Sequence, residues 1–229
     1  MSFPPLTIKL LWATFIALLV SLLLPAWLTM HMLLWPLVID STPASQAAGA
    51  QGMSFMPWQL VTHVLVLAPM DLLFVGFTFA FFGAWLEETW GRWRYGQFLL
   101  ACVAASGIGQ LLLLTCGFQA GIIGFQPAGG ADGVMYGVLF AGGYLYPRRM
   151  VGLIVPPVNM EMRWLVLMFA GIRLVVALAQ GGSIVALGFL FGVLGAWLHI
   201  RWWQGRPPFG RGRKPPPPKP KPRHLRSVN

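Results

Sequence analysis

Apolar residues in this 229-residue chain are grouped into six long runs, which short polar or glycine-rich segments separate. The runs lie at roughly 10–34, 70–89, 95–115, 130–146, 164–180 and 183–203. A helix needs about 20 mainly apolar residues to cross a bilayer. The pattern therefore predicts an all-α membrane protein with six transmembrane helices. Pro25 lies inside the first run, and we expect it to kink that helix.

The composition supports a membrane location. Hydrophobic residues make up 57% of the chain and charged residues 10%, whereas soluble domains carry about 25% charged residues. Too little polar surface is present to cover a water-soluble globule. The lipid bilayer is therefore the first expected partner, and neither a metal nor a cofactor is expected.

Much of the net charge of +10 lies at the end of the chain. Residues 204–229 are rich in Pro, Lys and Arg, which predicts a disordered basic C-terminal tail after a membrane domain at 1–203. The tail could contact anionic lipids. Nucleic acid is not an expected partner, because few aromatic residues are interleaved with the basic ones.

The loops differ in charge. Those after the first, third and fifth runs contain neither Lys nor Arg. The basic residues on the other side are Lys9, Arg92, Arg94, Arg148, Arg149, Arg163 and those of the tail. The positive-inside rule then places both termini in the cytoplasm. We expect the location to be a bacterial inner membrane.

Four ionisable residues fall within or near the apolar runs: Asp71, Glu87, Asp132 and Arg173. A charge at the centre of a membrane helix costs about 2.5–3.5 kcal/mol on insertion scales, so such residues are candidates for function. Arg173 lies in the middle of its run. Pairing with Asp71 or Asp132 would offset its burial. A water-facing position and a proton-relay role are the alternatives.

Glycines are dense in the fourth and sixth runs. They are Gly129, Gly130, Gly133, Gly137, Gly142 and Gly143 in the fourth, and Gly188, Gly192 and Gly195 in the sixth. Small residues at four-residue spacing allow helix backbones to approach closely in lipid. The fourth helix is therefore expected to pack against the sixth.

Three blocks of sequence carry a family resemblance. The first is Trp-Gln-x-x-Thr-His at 58–63, continued by 70–74 and by Gly-x-x-x-Glu-x-x-x-Gly at 83–91. The second is Gly-Gly-Ala-Asp-Gly-Val-Met-Tyr-Gly at 129–137, and the third is the pair Gly188 and Gly192. Over roughly 58–203 the chain resembles the rhomboid family of serine-type intramembrane proteases. The resemblance implies a six-helix rhomboid-like bundle.

The resemblance also implies positions for the catalytic residues, and these positions hold other residues. The nucleophilic Ser is replaced by Asp132 and the His base by Val185, which cannot accept a proton. The two positions that help to hold the oxyanion correspond to Asp71 and Val75. A carboxylate at Asp71 would repel an oxyanion.

Other residues in these blocks are structural candidates or candidates for lining a client cavity. They are Asp71, Glu87, Asp132, Tyr136, Arg173, Gly188 and Gly192. His63 and His199 are expected at the membrane interface, where neither is placed to act as a base.

The leading hypothesis is a rhomboid-like pseudoprotease that binds or regulates client transmembrane proteins. One alternative is a protease of this family with altered catalytic residues, either serine-type by resemblance or based on Asp71 and Asp132 sharing a proton. Another is an ion or solute pathway built on these two residues and Arg173.

Overall fold

The computed structural model describes residues 4–37, 54–152, 159–179 and 187–204. The predicted base position, Val185, and nearly all of the predicted tail lie outside the described residues, so those predictions stay untested. The described elements, in chain order, are α1 (Pro5–Leu23), α2 (Ala26–Met32), α3 (Gln59–Thr62), a 3₁₀ turn (His63–Leu65), α4 (Pro69–Thr78), a π-helix (Phe79–Gly83), α5 (Ala84–Trp90), α6 (Arg92–Gln119), α7 (Asp132–Leu145), β1 (Met150–Gly152), β2 (Asn159–Glu161), α8 (Met162–Ala179) and α9 (Phe189–Trp203).

The first apolar run is broken rather than kinked. α1 ends at Leu23, and Leu24 is extended, with φ −72° and ψ 145°. Pro25 then stands at the N-cap of α2. The residue before a proline avoids helical backbone, and proline has no N–H to continue the ladder. These two effects end α1 and start a new helix, so the prediction of a bent but continuous helix was wrong.

The second run forms one continuous rod in which α4 passes through the π-helix into α5. The rod ends at Gly91, whose φ of +78° few other residues adopt readily. α6 begins directly after it and contains 28 residues. At the helical rise, this length corresponds to roughly 42 Å.

In the second half of the chain, α7, α8 and α9 cover most of the described residues of the remaining predicted runs. Between α7 and α8, β1 and β2 form an antiparallel hairpin that pairs Met150 with Glu161. The sequence pattern did not predict this hairpin. Among the described residues, three helical stretches are long and apolar enough to cross a membrane: Pro5–Leu23, Pro69–Trp90 and Arg92–Gln119. The chain is thus a mostly helical membrane protein, and the count of six spans stays a prediction.

The centre of the bundle is the contact between α7 and α9. A Cβ atom added to Gly192 would overlap the backbone carbonyl of Gly133. One turn further along α7, a Cβ on Gly137 would lie 2.8 Å from the Cys102 sulfur atom of α6. Val138 and Ala141 on α7 are fully buried. The prediction that the fourth helix packs closely on the sixth is therefore confirmed.

Three segments close one end of the bundle and are called the cap below. They are residues 33–37, α3 and the loop at 120–131. Leu34 and Ala128 exchange two backbone hydrogen bonds of 2.8 and 2.9 Å. The buried side chain of Gln59 accepts hydrogen bonds from the N–H groups of Trp35 and Met56 and donates to the carbonyls of His31 and Ser54. Three of these contacts go to backbone groups outside regular structure, and the fourth goes to a carbonyl in the last turn of α2.

The opposite end, called the basic end below, is where α5, α7 and α9 finish and α6 and α8 begin. Trp90 of α5 contacts Trp203 of α9 there, with ring centroids 5.7 Å apart. Trp85 of α5 contacts Tyr146, which follows α7, at 4.1 Å. The aromatic rings thus join three helix ends at one level of the molecule.

Candidate functional site

The residue at the expected nucleophile position is the first residue of α7. Its carboxylate, that of Asp132, accepts two hydrogen bonds at Oδ2 from Arg173 of α8, from Nε at 3.1 Å and from Nη2 at 2.6 Å. The side chains are 34% and 24% exposed, respectively. The expected ion pair therefore forms, and Asp132 is the partner of Arg173.

Asp71 has a different and local role. The backbone N–H of Ala68 donates to its carboxylate at 2.8 Å. A carboxylate in the first turn accepts from an N–H that has no partner within the helix and favours the positive end of the helix dipole. Among the described residues, no hydrogen bond links Asp71 with Asp132. Val75, one turn further along α4, is buried in the apolar core.

Tyr136 makes a second polar contact between α7 and α8. Its hydroxyl group donates to the backbone carbonyl of Phe169 at 3.3 Å, and its ring packs on Phe189 of α9 at a centroid distance of 4.8 Å. Asp132 and Tyr136 are one turn apart on α7, as Phe169 and Arg173 are on α8. The two contacts therefore lie along one line between the helices.

The outer face of α8 has few neighbours. Leu167, Ile172 and Val175 are exposed, at 61%, 54% and 65%. Towards the basic end α8 is anchored by Met162 and Leu165, which are buried. In the part of α8 after Phe169, the described hydrogen bonds to the rest of the bundle are those from Arg173 to Asp132.

The glycine pair of the family motif lies against two other helices. Gly192 meets Gly133, as described above. A Cβ on Gly188 would overlap the side chain of Gln110 on α6. These positions hold α9 close to both neighbours, which brings the start of α9 towards the start of α7.

Glu87 joins α5 to the start of α1. It is only 3% exposed, and its carboxylate accepts hydrogen bonds from the N–H groups of Leu6 at 2.9 Å and Thr7 at 2.6 Å and from the Thr7 hydroxyl at 2.8 Å. The N-cap residue of α1 is Pro4, which has no side-chain acceptor. A residue 80 positions away therefore caps this helix, and no local pattern could have indicated it.

His63 is buried inside the protein, with 2% of its surface exposed, and its expected position at the membrane interface stays a prediction. Its Nδ1 atom lies 3.0 Å from the Gln59 carbonyl oxygen, and a carbonyl can only accept, so Nδ1 carries the hydrogen. Among the described residues Nε2 has no partner. The backbone carbonyl of His63 accepts from the N–H of Gly130 at 2.9 Å. His63 thereby links the 3₁₀ turn after α3 to the loop that leads into Asp132.

His199 lies at the basic end. Its ring packs edge-on against Phe98 of α6 at 5.9 Å and against Trp202 at 6.1 Å. It is partly buried and lies seven residues after Gly192 on α9. Its surroundings are aromatic rings rather than the nucleophile position.

An apolar cavity of about 130 Å³ lies beside the start of α7. Its walls include Leu10 and Ala17 of α1, Phe79 of the π-helix, and Val134 of α7. The polar side chain on its wall, Thr14, already donates to the Leu11 carbonyl at 2.9 Å. The cavity therefore offers apolar contacts and no free side-chain charge.

Comparison with known families identifies the class of protein. Residues 9–214 match the model of the family DUF1751, described as a eukaryotic integral membrane protein. The chain belongs to this family. No curated protein matches it. The family is described as eukaryotic, so the expected location in a bacterial inner membrane was wrong, whereas integration into a membrane agrees with the family description.

Proposed function

We propose that this DUF1751 member is a rhomboid-like pseudoprotease that binds the transmembrane helices of client proteins without cleaving them. The observation that carries the proposal is the engagement of Asp132 by Arg173. At the position where a rhomboid protease has its nucleophilic hydroxyl, this chain has a carboxylate held by a guanidinium group. Such a carboxylate is occupied as a hydrogen-bond acceptor.

The packing of the bundle supports a rhomboid-like scaffold. The helix that begins at Asp132 is central, and it meets α9 through Gly133 and Gly192. This is the pair of helices that, by the resemblance, carries the nucleophile and the base. The motif glycines Gly133 and Gly192 are thus close together in space.

The structure offers less support to an aspartyl mechanism. Such a mechanism needs two carboxylates close enough to share one proton. Asp71 accepts from the backbone of its own helix, and Asp132 accepts from Arg173. The two side chains thus have separate partners.

We propose that client helices bind at α8. Its outer face is apolar and exposed, and its outer half is attached to α7 by two polar contacts, at Tyr136 and Asp132. A guest helix could pack on this face by dispersion contacts, which dominate helix association in lipid.

A crosslinking experiment tests the binding. A photoreactive amino acid replaces Leu167 on α8 or, as a matched control, Leu112 on α6, and these two leucines are 61% and 54% exposed. The full chain is reconstituted with a model single-span peptide. We expect saturable crosslinking at position 167 and only a weak, non-saturable signal at position 112. Equal signals at both sites would contradict a specific client surface.

A cleavage assay tests the loss of catalysis. The wild-type chain should leave the same peptide intact. Cleavage that Asp132→Ala abolishes would contradict the proposal. The double substitution Asp132→Ser with Val185→His restores both family groups, and gained cleavage would support the assignment of the two positions.

A further inference from the structure

A shallow pocket lies at the basic end, between the start of α6 and the end of α9. Its lining residues include Trp90, Arg94, Gln97, His199, Trp202 and Trp203. The pocket is far from Asp132 along both helices. It is therefore separate from the site discussed above.

The cation in this pocket, Arg94, makes no ion pair with an acidic side chain in the described part of the chain. Arg94 is exposed, and its guanidinium carbon lies 4.5 Å from the centre of the Trp203 ring. The ion pairs in the described part of the chain are Arg163 with Glu161 and Arg173 with Asp132. The charge of Arg94 thus remains available to an anion. A guanidinium group presents a fork of N–H donors that matches phosphate oxygens.

The surroundings raise the positive potential further. α6 is a helix of 28 residues, and Arg94 lies in its first turn, where unpaired N–H groups and the helix dipole favour an anion. Arg149 lies over Trp85 at 4.2 Å at the same end. Two acidic residues precede this turn in the sequence: Glu87, which is used to cap α1, and Glu88, which is exposed on α5 and does not line the pocket.

The other walls are three indole rings, the side chains of Gln97 and His199, and Ile200. Trp202 is 74% exposed and Trp203 is 42% exposed. Indoles of this kind collect at the level of the lipid headgroups, where one edge of the ring is apolar and the other is wet. Gln97 is one turn after Arg94 on α6 and supplies further amide donors at the pocket.

We propose that this pocket binds the phosphate group of an anionic phospholipid, with Arg94 as the charged ligand and Gln97 and His199 as supporting donors. Basic pockets between helices at the membrane surface suit such headgroups. A lipid is favoured over free phosphate because three indoles wall the site, and their apolar faces suit the glycerol and upper acyl chain.

The test measures lipid binding to the full-length chain in detergent by native mass spectrometry. Phosphatidylglycerol and phosphatidylcholine are titrated separately. Arg94→Gln is compared with Arg92→Gln, which removes the same charge from an exposed residue of the same helical turn outside the pocket. Arg94→Gln should weaken phosphatidylglycerol binding at least about tenfold, because hydrogen bonds to charged groups are lost. Arg92→Gln should change it less than about twofold.

Each other outcome has a defined meaning. Equal binding of the two lipids, or equal effects of the two Arg variants, would overturn the proposal. An unchanged affinity in both variants would assign binding to bulk charge or to the tail and would also overturn it. Displacement by millimolar inorganic phosphate would identify a free-anion site instead of a lipid site. If Arg94→Gln fails to fold by circular dichroism, Gln97→Ala replaces it, with an expected weakening of about three- to fivefold.

Discussion

Asp132 and Arg173 join α7 to α8 through two hydrogen bonds that meet on one carboxylate oxygen. Both residues are expensive to place in a membrane alone, and the pair offsets much of that cost. The same contact occupies the carboxylate at the position where the rhomboid resemblance expects a nucleophilic hydroxyl group.

The ion pair should be measurable by a double-mutant cycle. Arg173→Met leaves the Asp132 carboxylate without its partner and should destabilise the chain by about 1–3 kcal/mol. Asp132→Leu should have a similar effect. The double variant should lose less than the sum of the two, giving a coupling energy of about 1–2 kcal/mol. Thermal unfolding in detergent is the measurement.

The control for this cycle is Asp71→Asn combined with Arg173→Met. Asp71 caps its own helix, so these two effects should add within about 0.5 kcal/mol. Strong coupling of Arg173 to Asp71, or none to Asp132, would contradict the pairing.

The stability of the bundle should depend on glycine at position 192. A Cβ on Gly192 overlaps the Gly133 carbonyl, and the backbone there cannot move without separating α7 from α9. Gly192→Ala should therefore destabilise the bundle by about 1–3 kcal/mol. Gly76→Ala is the matched control, because a Cβ at this helical glycine meets nothing within 4 Å. It should be neutral or stabilising by up to about 1 kcal/mol. Equal loss in both variants would disprove close packing at Gly192.

The attachment of α1 should depend on Glu87. Its carboxylate accepts three hydrogen bonds at the start of α1. Glu87→Ala leaves those donors buried without an acceptor and should cost about 2–4 kcal/mol. Hydrogen exchange should show faster exchange for the amides of Leu6 and Thr7. Glu88→Ala, an exposed neighbour, should change stability by less than about 0.5 kcal/mol.

The cap should weaken as the pH falls. Burial lowers the pKa of His63 below its ordinary value of 6.5, so the unfolded chain takes up a proton more readily than the folded one. Stability is then fully present above about pH 6.5 and declines as the pH falls below it. The decline in stability ends once the pH is below the pKa of His63 in the folded chain.

Melting temperatures between pH 5 and 8 measure this effect. His63→Gln should flatten the profile, although it also alters the bond to Gln59. His31→Gln, on the partly exposed α2, should leave the wild-type slope in place. An unchanged slope in His63→Gln would assign the pH dependence to other groups.

Some features of this structure follow from local sequence patterns, and others depend on contacts between distant segments. The apolar runs predicted helices near 70–89, 95–115, 130–146 and 164–180, and helices cover all four ranges nearly to their ends. The motif glycines predicted the approach of the fourth and sixth helices. The Asp and Arg residues predicted an ion pair, although two partners for Arg173 were left open.

Other features could not be read from the chain. The buried position of His63 depends on the loop that closes over it, and its Nδ1 partner is a backbone carbonyl that any residue could supply. The partners of Glu87 are backbone N–H groups of a distant helix, which carry no sequence signal. The pocket at Arg94 exists because the ends of α6 and α9 meet.

The sequence by itself determined the solvent, the helices and the residue types, Asp132 and Val185, at the positions where the rhomboid resemblance expects a Ser and a His. These follow from local properties, since a helix in lipid must satisfy its own backbone hydrogen bonds and hydropathy is a sum over neighbouring residues. Only the tertiary structure decided that Asp132 pairs with Arg173, that Glu87 caps α1 and that His63 is buried. Those outcomes depend on how each helix is rotated and where distant helix ends meet, which local patterns do not encode.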